Sequence, residues 1–190
     1  MQSMGCRVLA YDPFKNKAIE EAGIPYLELD EIYPQADVLS LHVPLLPQTT
    51  KMVDAPTIAK FKPGATLLNV SRGALVDTEA VADALESGQL GAYGADVYEN
   101  EAAYFFDDHS AEEMADSLLA RLIGHPNCLL TGHLAFFTRE ALGQIVGTTM
   151  KNLAQYFEGV ELQNEVKPPP PKEQAVLPAE EKKEEPASAA

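Results

Sequence analysis

Five short apolar runs, each bounded by Gly, Pro, Asn or Asp and separated by stretches of helical pattern, constrain this chain more than any other feature. They cover residues 6–11, 37–43, 65–70, 89–97 and 128–132. Each is rich in Leu, Val or Ala, as expected of strands buried in a parallel sheet. Strand–helix alternation of this kind predicts an α/β fold of Rossmann type, with right-handed crossovers between parallel strands. The first run begins only five residues into the sequence. A buried strand needs neighbours to pair with, so the sheet is expected to be incomplete on that side.

The helical stretches are 16–22, 56–61, 78–86, 111–122 and 138–158. Asp77 or Thr78 is the cap expected for the third, and Gly88 its stop. Ser110 with Glu113 resembles a capping box and predicts that the fourth opens at Ala111. The last places Leu142, Ile145, Val146, Met150, Leu153 and Phe157 at helical spacing.

Composition divides the chain. From Lys167 onward it is Pro, Glu, Lys and Ala with almost no large apolar side chains, which cannot bury a core. Residues 1–163 are therefore expected to fold and 164–190 to form a disordered tail, with Pro168 to Pro171 as possible polyproline-II bait. From Lys167 onward there are four Lys against five Glu, so nearly all of the net charge of −15 belongs to the folded part. A surface so acidic argues against binding nucleic acid or anionic membrane, both of which require clustered Lys and Arg. No apolar run has the roughly 20 residues of a membrane-spanning helix, and the N-terminus lacks the pattern of a signal peptide. Cys6 and Cys128 suggest neither a disulfide framework nor a metal site, so a reducing compartment, the cytoplasm by default, is expected.

The residues that carry chemistry sit at the ends of the apolar runs, where an open parallel sheet forms its ligand crevice. Asp12 ends the first run, His42 to Pro44 the second, and Ser71 and Arg72 the third. Asp96 to Glu101 follows the fourth, and His133 the fifth. An acid at the position of Asp12 accepts from ribose hydroxyls and repels a 2′-phosphate, which favours NAD over NADP; its bland role is a turn residue before Pro13. Arg72 suits a carboxylate, gripped by two parallel hydrogen bonds. His133 suits exchange of a hydroxyl proton. Taken singly, such an Arg is more often solvated and such a His more often structural. Glu101 is a candidate to hold His133. His42, His109 and His125 are read as structural or surface histidines.

Five segments then resemble, in order, the motifs of the D-isomer-specific 2-hydroxyacid dehydrogenases: GCRVLAYDPF, LHVPLLPQTT, LLNVSRGALVDTEAVADAL, GADVYENE and TGHLAFFTREAL. The resemblance implies that 1–163 is a partial NAD-binding domain acting on a small 2-hydroxy or 2-oxo acid. It implies Arg72, Glu101 and His133 as the catalytic residues: Arg72 binds the substrate carboxylate, His133 exchanges the proton, and Glu101 keeps His133 protonated for reduction. It implies NAD contacts from Asp12, Val43, Pro44, Thr49, Val70, Ser71, Arg72 and Asp96. The stretch from Asp96 to Leu122 is similar to the D-lactate dehydrogenase branch, with Phe136 and Phe137 placed to wall a small side chain. In this family a strand and a G-x-G-x-x-G turn precede the point where the sequence starts, and so does a substrate domain. The chain alone is accordingly expected to bind NAD weakly and turn over negligibly, while a full-length parent forms a homodimer. The alternative is a catalytically inactive, corepressor-like interaction protein, a type also found in the family.

Overall fold

The computed structural model describes residues 1–109, 111 and 114–167, in two compact units, Met1–Thr138 and Arg139–Ala190. The first unit is built on β1 (Val38–Leu41), β2 (Ala65–Asn69), β3 (Leu90–Ala95) and β4 (Cys128–Leu130). These pair in the order β1-β2-β3-β4, all parallel. Their helices are α1 (Lys17–Glu21), α2 (Leu29–Ile32), α3 (Ala55–Ile58), α4 (Thr78–Ser87) and α5 (Ser117–Gly124). The α/β class and the parallel sheet are as expected.

The core follows the period of two along β2, where Ala65, Leu67 and Asn69 are buried and Thr66 and Leu68 half-buried. Val53, Leu67, Leu75 and Val81 are wholly inaccessible, joined by Ile58 of α3 and Leu119 and Leu122 of α5. Helix α4 starts and stops where its sequence says. The Asp77 carboxylate accepts from the Ala80 N–H, and Gly88 closes the helix at φ 78, in the left-handed region that favours glycine.

Two expectations fail. Residues 6–11 are not a strand. They make a single parallel bridge, between Ala10 and Tyr26, and no ladder to β1. Among the described residues, the one bridge is all the pairing they have, and a strand is defined by a run of ladder bonds to a neighbour. The fourth helix starts at Ser117 rather than Ala111. Asp116 is its cap: Oδ1 accepts from the N–H groups of Leu118 and Leu119 at 3.0 Å each. Its Oδ2 is fixed by the Tyr98 hydroxyl at 2.7 Å. Ser110 and Glu113 lie outside the described residues. The short α2 was not anticipated; the Glu31 carboxylate, accepting from the Glu28 N–H, supports its first turn.

The second unit contains α6 (Arg139–Glu158), none of whose residues is buried. Its Ile145, Val146, Met150, Leu153 and Phe157 stay exposed, although their spacing predicts one apolar face. The segment after α6 returns beside it through Lys151 to Gln163 and Asn164 to Asn152 hydrogen bonds. Residues 168–190, most of the expected tail, lie outside the described residues. Among the described residues, no helix is long and apolar enough to cross a membrane, and no cluster of His, Cys, Asp and Glu is placed to hold a metal.

Both cysteines are free thiols, Cys6 exposed and Cys128 half-buried. Burial pushes the Cys128 thiol up to about 11, which keeps it protonated and unreactive at neutral pH. A disulfide reagent at pH 8 is therefore expected to titrate one thiol in the folded chain and two in denaturant. Two fast thiols in the folded chain would contradict this packing.

Candidate active site

Parallel pairing brings the C-terminal ends of the four strands side by side. Leu41 stands opposite Asn69, Asn69 opposite Ala95, and Ala95 opposite Leu130. The residues that follow each strand therefore share one edge. Cross-strand bonds knit them together: the Ser71 hydroxyl donates to the Val43 carbonyl at 2.7 Å, the Asp96 N–H to the Asn69 carbonyl at 3.1 Å, and the Thr131 N–H to the Ala95 carbonyl at 2.9 Å.

Glu101 and His133 meet there although 32 residues apart, with Glu101 Oε1 2.9 Å from His133 Nδ1. The side chains are 22% and 33% exposed, so the pair is shielded but remains open to a ligand. The other carboxylate oxygen of Glu101 accepts from the Tyr98 N–H at 3.1 Å, which fixes the carboxylate before the imidazole reaches it. With Nδ1 engaged, Nε2 is the ring nitrogen left for a ligand. The Phe106 ring lies 6.5 Å from the imidazole, centroid to centroid.

His133 has φ 56, rare for a residue with a side chain. Asp96 holds it there. Its Oδ1 accepts from the Thr131 hydroxyl at 2.5 Å and the Leu134 N–H at 2.9 Å, and its Oδ2 from the Ala135 N–H at 2.9 Å. Burial pushes the Asp96 carboxyl upward, but the Thr131 hydroxyl and the Leu134 and Ala135 N–H groups outweigh it, leaving the group below its ordinary 3.8. A depressed carboxyl contributes stability that is present above its unfolded pKa and lost as pH falls through the folded one. The Leu134 and Ala135 amide shifts are thus expected to titrate together, with an inflection below pH 3.8. Asp96→Asn should abolish that titration. An inflection above pH 3.8, or two unrelated curves, would contradict the clamp.

The other expected residues are placed as follows. Arg72 is exposed just past β2, its guanidinium donating to the Ser71 carbonyl at 2.7 Å. Val70, apolar yet 51% exposed, lies on the same edge, with Val43 half-buried and Pro44 exposed after β1. Thr49 turns inward, donating to the Pro44 carbonyl at 2.7 Å and accepting from the Leu46 N–H at 2.8 Å, so its hydroxyl folds the loop after β1. Asp12 stands apart from the cluster. Its Oδ1 accepts from the Phe14 N–H at 2.8 Å, and it borders a shallow cleft with Tyr11, Lys15, Tyr26 and Glu28. Sequence reasoning missed two residues that shape the edge. Thr131 is tied to Asp96, and Gly73 has no room for a side chain, since a Cβ would fall 2.0 Å from the Tyr98 carbonyl carbon. Glycine within N-V-S-R-G was the available signal for the second.

Comparison with known proteins shows the family of the chain. Residues 1–135 match the family described as D-isomer specific 2-hydroxyacid dehydrogenase, NAD binding domain. The D-lactate dehydrogenase of Lactobacillus delbrueckii subsp. bulgaricus is 43% identical over 88% of this chain and 50% of its own length. A 2-hydroxyacid dehydrogenase homolog of Haemophilus influenzae is 44% identical over 88% and 51%. Among solved structures, the pyruvate reductase of Chlamydomonas reinhardtii superposes with a TM-score of 0.82 at 46% identity, over 86% of this chain and 50% of that one. The chain belongs to the D-isomer specific 2-hydroxyacid dehydrogenase family, and it spans about half the length of the curated relatives it matches.

The residues present fit part of an NAD molecule. The exposed apolar side chain of Val70 has the chemistry to lie against a flat ring, and the exposed carboxylate of Asp12 has that to accept from a ribose diol. The pyrophosphate is different: the sequence contains no G-x-G-x-x-G turn to receive it.

Proposed function

We propose that this chain supplies the cofactor-side half of an NAD-dependent dehydrogenase that interconverts a small D-2-hydroxy acid and its 2-oxo acid, D-lactate and pyruvate foremost. The observation that carries this is the Glu101–His133 pair, closed at 2.9 Å on the strand edge that also presents Arg72.

The roles follow from chemistry. Arg72 grips the substrate carboxylate through its planar fork and so orients the reacting carbon. Glu101 accepts a hydrogen bond from Nδ1–H of His133, which fixes the tautomer and turns Nε2 toward the substrate. His133 then delivers a proton from Nε2 to the carbonyl oxygen as it becomes a hydroxyl, or removes it in the reverse direction. NAD, when bound, supplies the hydride donor or acceptor. Val43, Pro44, Thr49, Val70, Ser71, Asp96 and Asp12 belong to its proposed contact set. The Phe136 and Phe137 rings, packed edge to face at 6.1 Å and both exposed, suit the wall beside a methyl group.

The domain division is also part of this proposal, with 1–163 as the partial NAD-binding domain and 164–190 as a tail. So are homodimer formation by the parent and residence in the cytoplasm, the latter supported by two free thiols. The corepressor-like alternative is not favoured, because the relatives carry dehydrogenase names and the Glu–His pair is intact. The test is a hybrid in which residues 1–163 replace the matching half of the Lactobacillus delbrueckii enzyme. Pyruvate-dependent loss of NADH absorbance, with D-lactate as product, is expected. No pyruvate-dependent loss, or L-lactate as product, would overturn the reading.

A further inference from the structure

We infer that Asn69 is a positioning residue, whose side-chain amide sets the turn that aims Arg72. This rests on the proposed role of Arg72. Asn69 is the last residue of β2 and is wholly inaccessible, one of only two buried polar side chains among the described residues. A buried amide is costly unless its hydrogen bonds are made, so what it bonds to shows what it is for. Nδ2 donates to the Arg72 carbonyl at 2.8 Å, and Oδ1 accepts from the Ser71 N–H at 3.2 Å. One side chain thus closes the turn from both sides. The amide also reaches the hydroxyl of Tyr93, a residue of β3 that is itself 3% exposed.

The turn is anchored again just beyond Arg72. Gly73 packs on the Tyr98–Glu99 backbone so closely that no Cβ fits, and the Tyr98 N–H is the donor that holds Glu101. A shift of the turn would therefore move Arg72 relative to the Glu101–His133 pair. The chemistry of the position is specific. Aspartate would keep the acceptor for Ser71, but it would leave the Arg72 carbonyl without a donor and bury a charge. Alanine would leave both backbone groups unpaired. An amide supplies donor and acceptor at the right reach.

The test uses the 190-residue chain and two readouts, neither of which needs turnover. The first is hydrogen exchange at the Ser71 amide. Asn69→Asp and Asn69→Ala are expected to expose it, with the Leu67 and Leu90 amides still protected. The second is the Nε–H signal of Arg72, assigned by its loss in Arg72→Gln and titrated with oxamate, a stable mimic of a 2-oxo acid. Both Asn69 variants are expected to weaken the oxamate response by about 10- to 100-fold, the scale of a small misplacement. Thr78→Val, at the other buried polar side chain, is the control: it is expected to lower the melting temperature without moving the response.

If neither Asn69 variant folds, Tyr93→Phe decides. It removes one bond to Asn69 and is expected to weaken the response by about threefold; no change there overturns the inference. A wild-type chain whose Arg72 signal ignores oxamate sinks the positioning role, whereas the functional reading stands or falls with pyruvate reduction by the hybrid. A wild-type response that folded Asn69 variants retain within threefold sinks the positioning role alone.

Discussion

Replacing His133 by Gln in the hybrid enzyme is expected to lower kcat for pyruvate reduction by about 10²- to 10⁴-fold, the range of general acid catalysis. The imidazole is the group on this edge with a ring nitrogen left to face a ligand, since its Nδ1 is taken by Glu101. Glutamine offers a polar surface but no proton of suitable acidity. Because His133 acts on the hydroxyl oxygen, the KM for NADH should stay within about twofold while kcat falls, as expected when an interaction made only in the transition state is removed. A fall in NADH affinity with kcat preserved would mean that the residue serves the cofactor. Glu101→Ala should reproduce a smaller version of the same kcat defect.

The second large effect is expected at Arg72. Arg72→Gln should reduce kcat/KM for pyruvate by about 10²- to 10³-fold, the ~2–5 kcal/mol typical of removing one partner of a hydrogen-bonded charge pair. Most of the loss should appear as raised KM for the oxo acid, because the ground-state carboxylate is gripped as firmly as that of the transition state. Arg72→Lys should recover only part of it, since an ammonium keeps the charge but loses the planar fork. Full recovery by Lys would show that charge alone matters at this position. The two variants therefore fail in different kinetic constants, which separates proton transfer from substrate capture.

The parts of this molecule that sequence reveals are those set by local pattern. Short apolar runs bounded by Gly, Pro, Asn or Asp located β1 to β4 within a few residues. Asp77 and Gly88 bounded α4 because caps act within a single turn of helix. Residues 6–11 carry the same apolar pattern yet form no strand, because pairing depends on neighbours and not on the run itself. The start of α5 was misplaced for a related reason. Asp116 caps that helix with its carboxylate held by the Tyr98 hydroxyl, 18 residues away, a contact no local pattern announces.

The site shows the same division. Strand ends carrying Asp, Arg, Glu and His could be picked out from their position, with Glu101 a candidate partner of His133 that the family resemblance then implied. The bonds that shape the edge are long-range. Asp96 reaches Thr131, Leu134 and Ala135 across 35 to 39 residues, and no periodicity announces that. Family resemblance implied Asp96 as a cofactor contact and gave no sign that its carboxylate accepts three hydrogen bonds around His133. Asn69 was hidden for another reason: a polar residue within an apolar run gives no sign of which backbone groups it will meet once buried.

The Glu101–His133 pair is the centre of this account, and its geometry can be measured without any ligand. In the folded chain, ¹⁵N-edited spectra of the four histidine rings should show one strongly deshielded ring N–H, on Nδ1 of His133, and Glu101→Ala should remove it while the other three rings keep their signals. A His133 ring protonated on Nε2 alone, or a deshielded signal that survives Glu101→Ala, would contradict the proposed proton-transfer site.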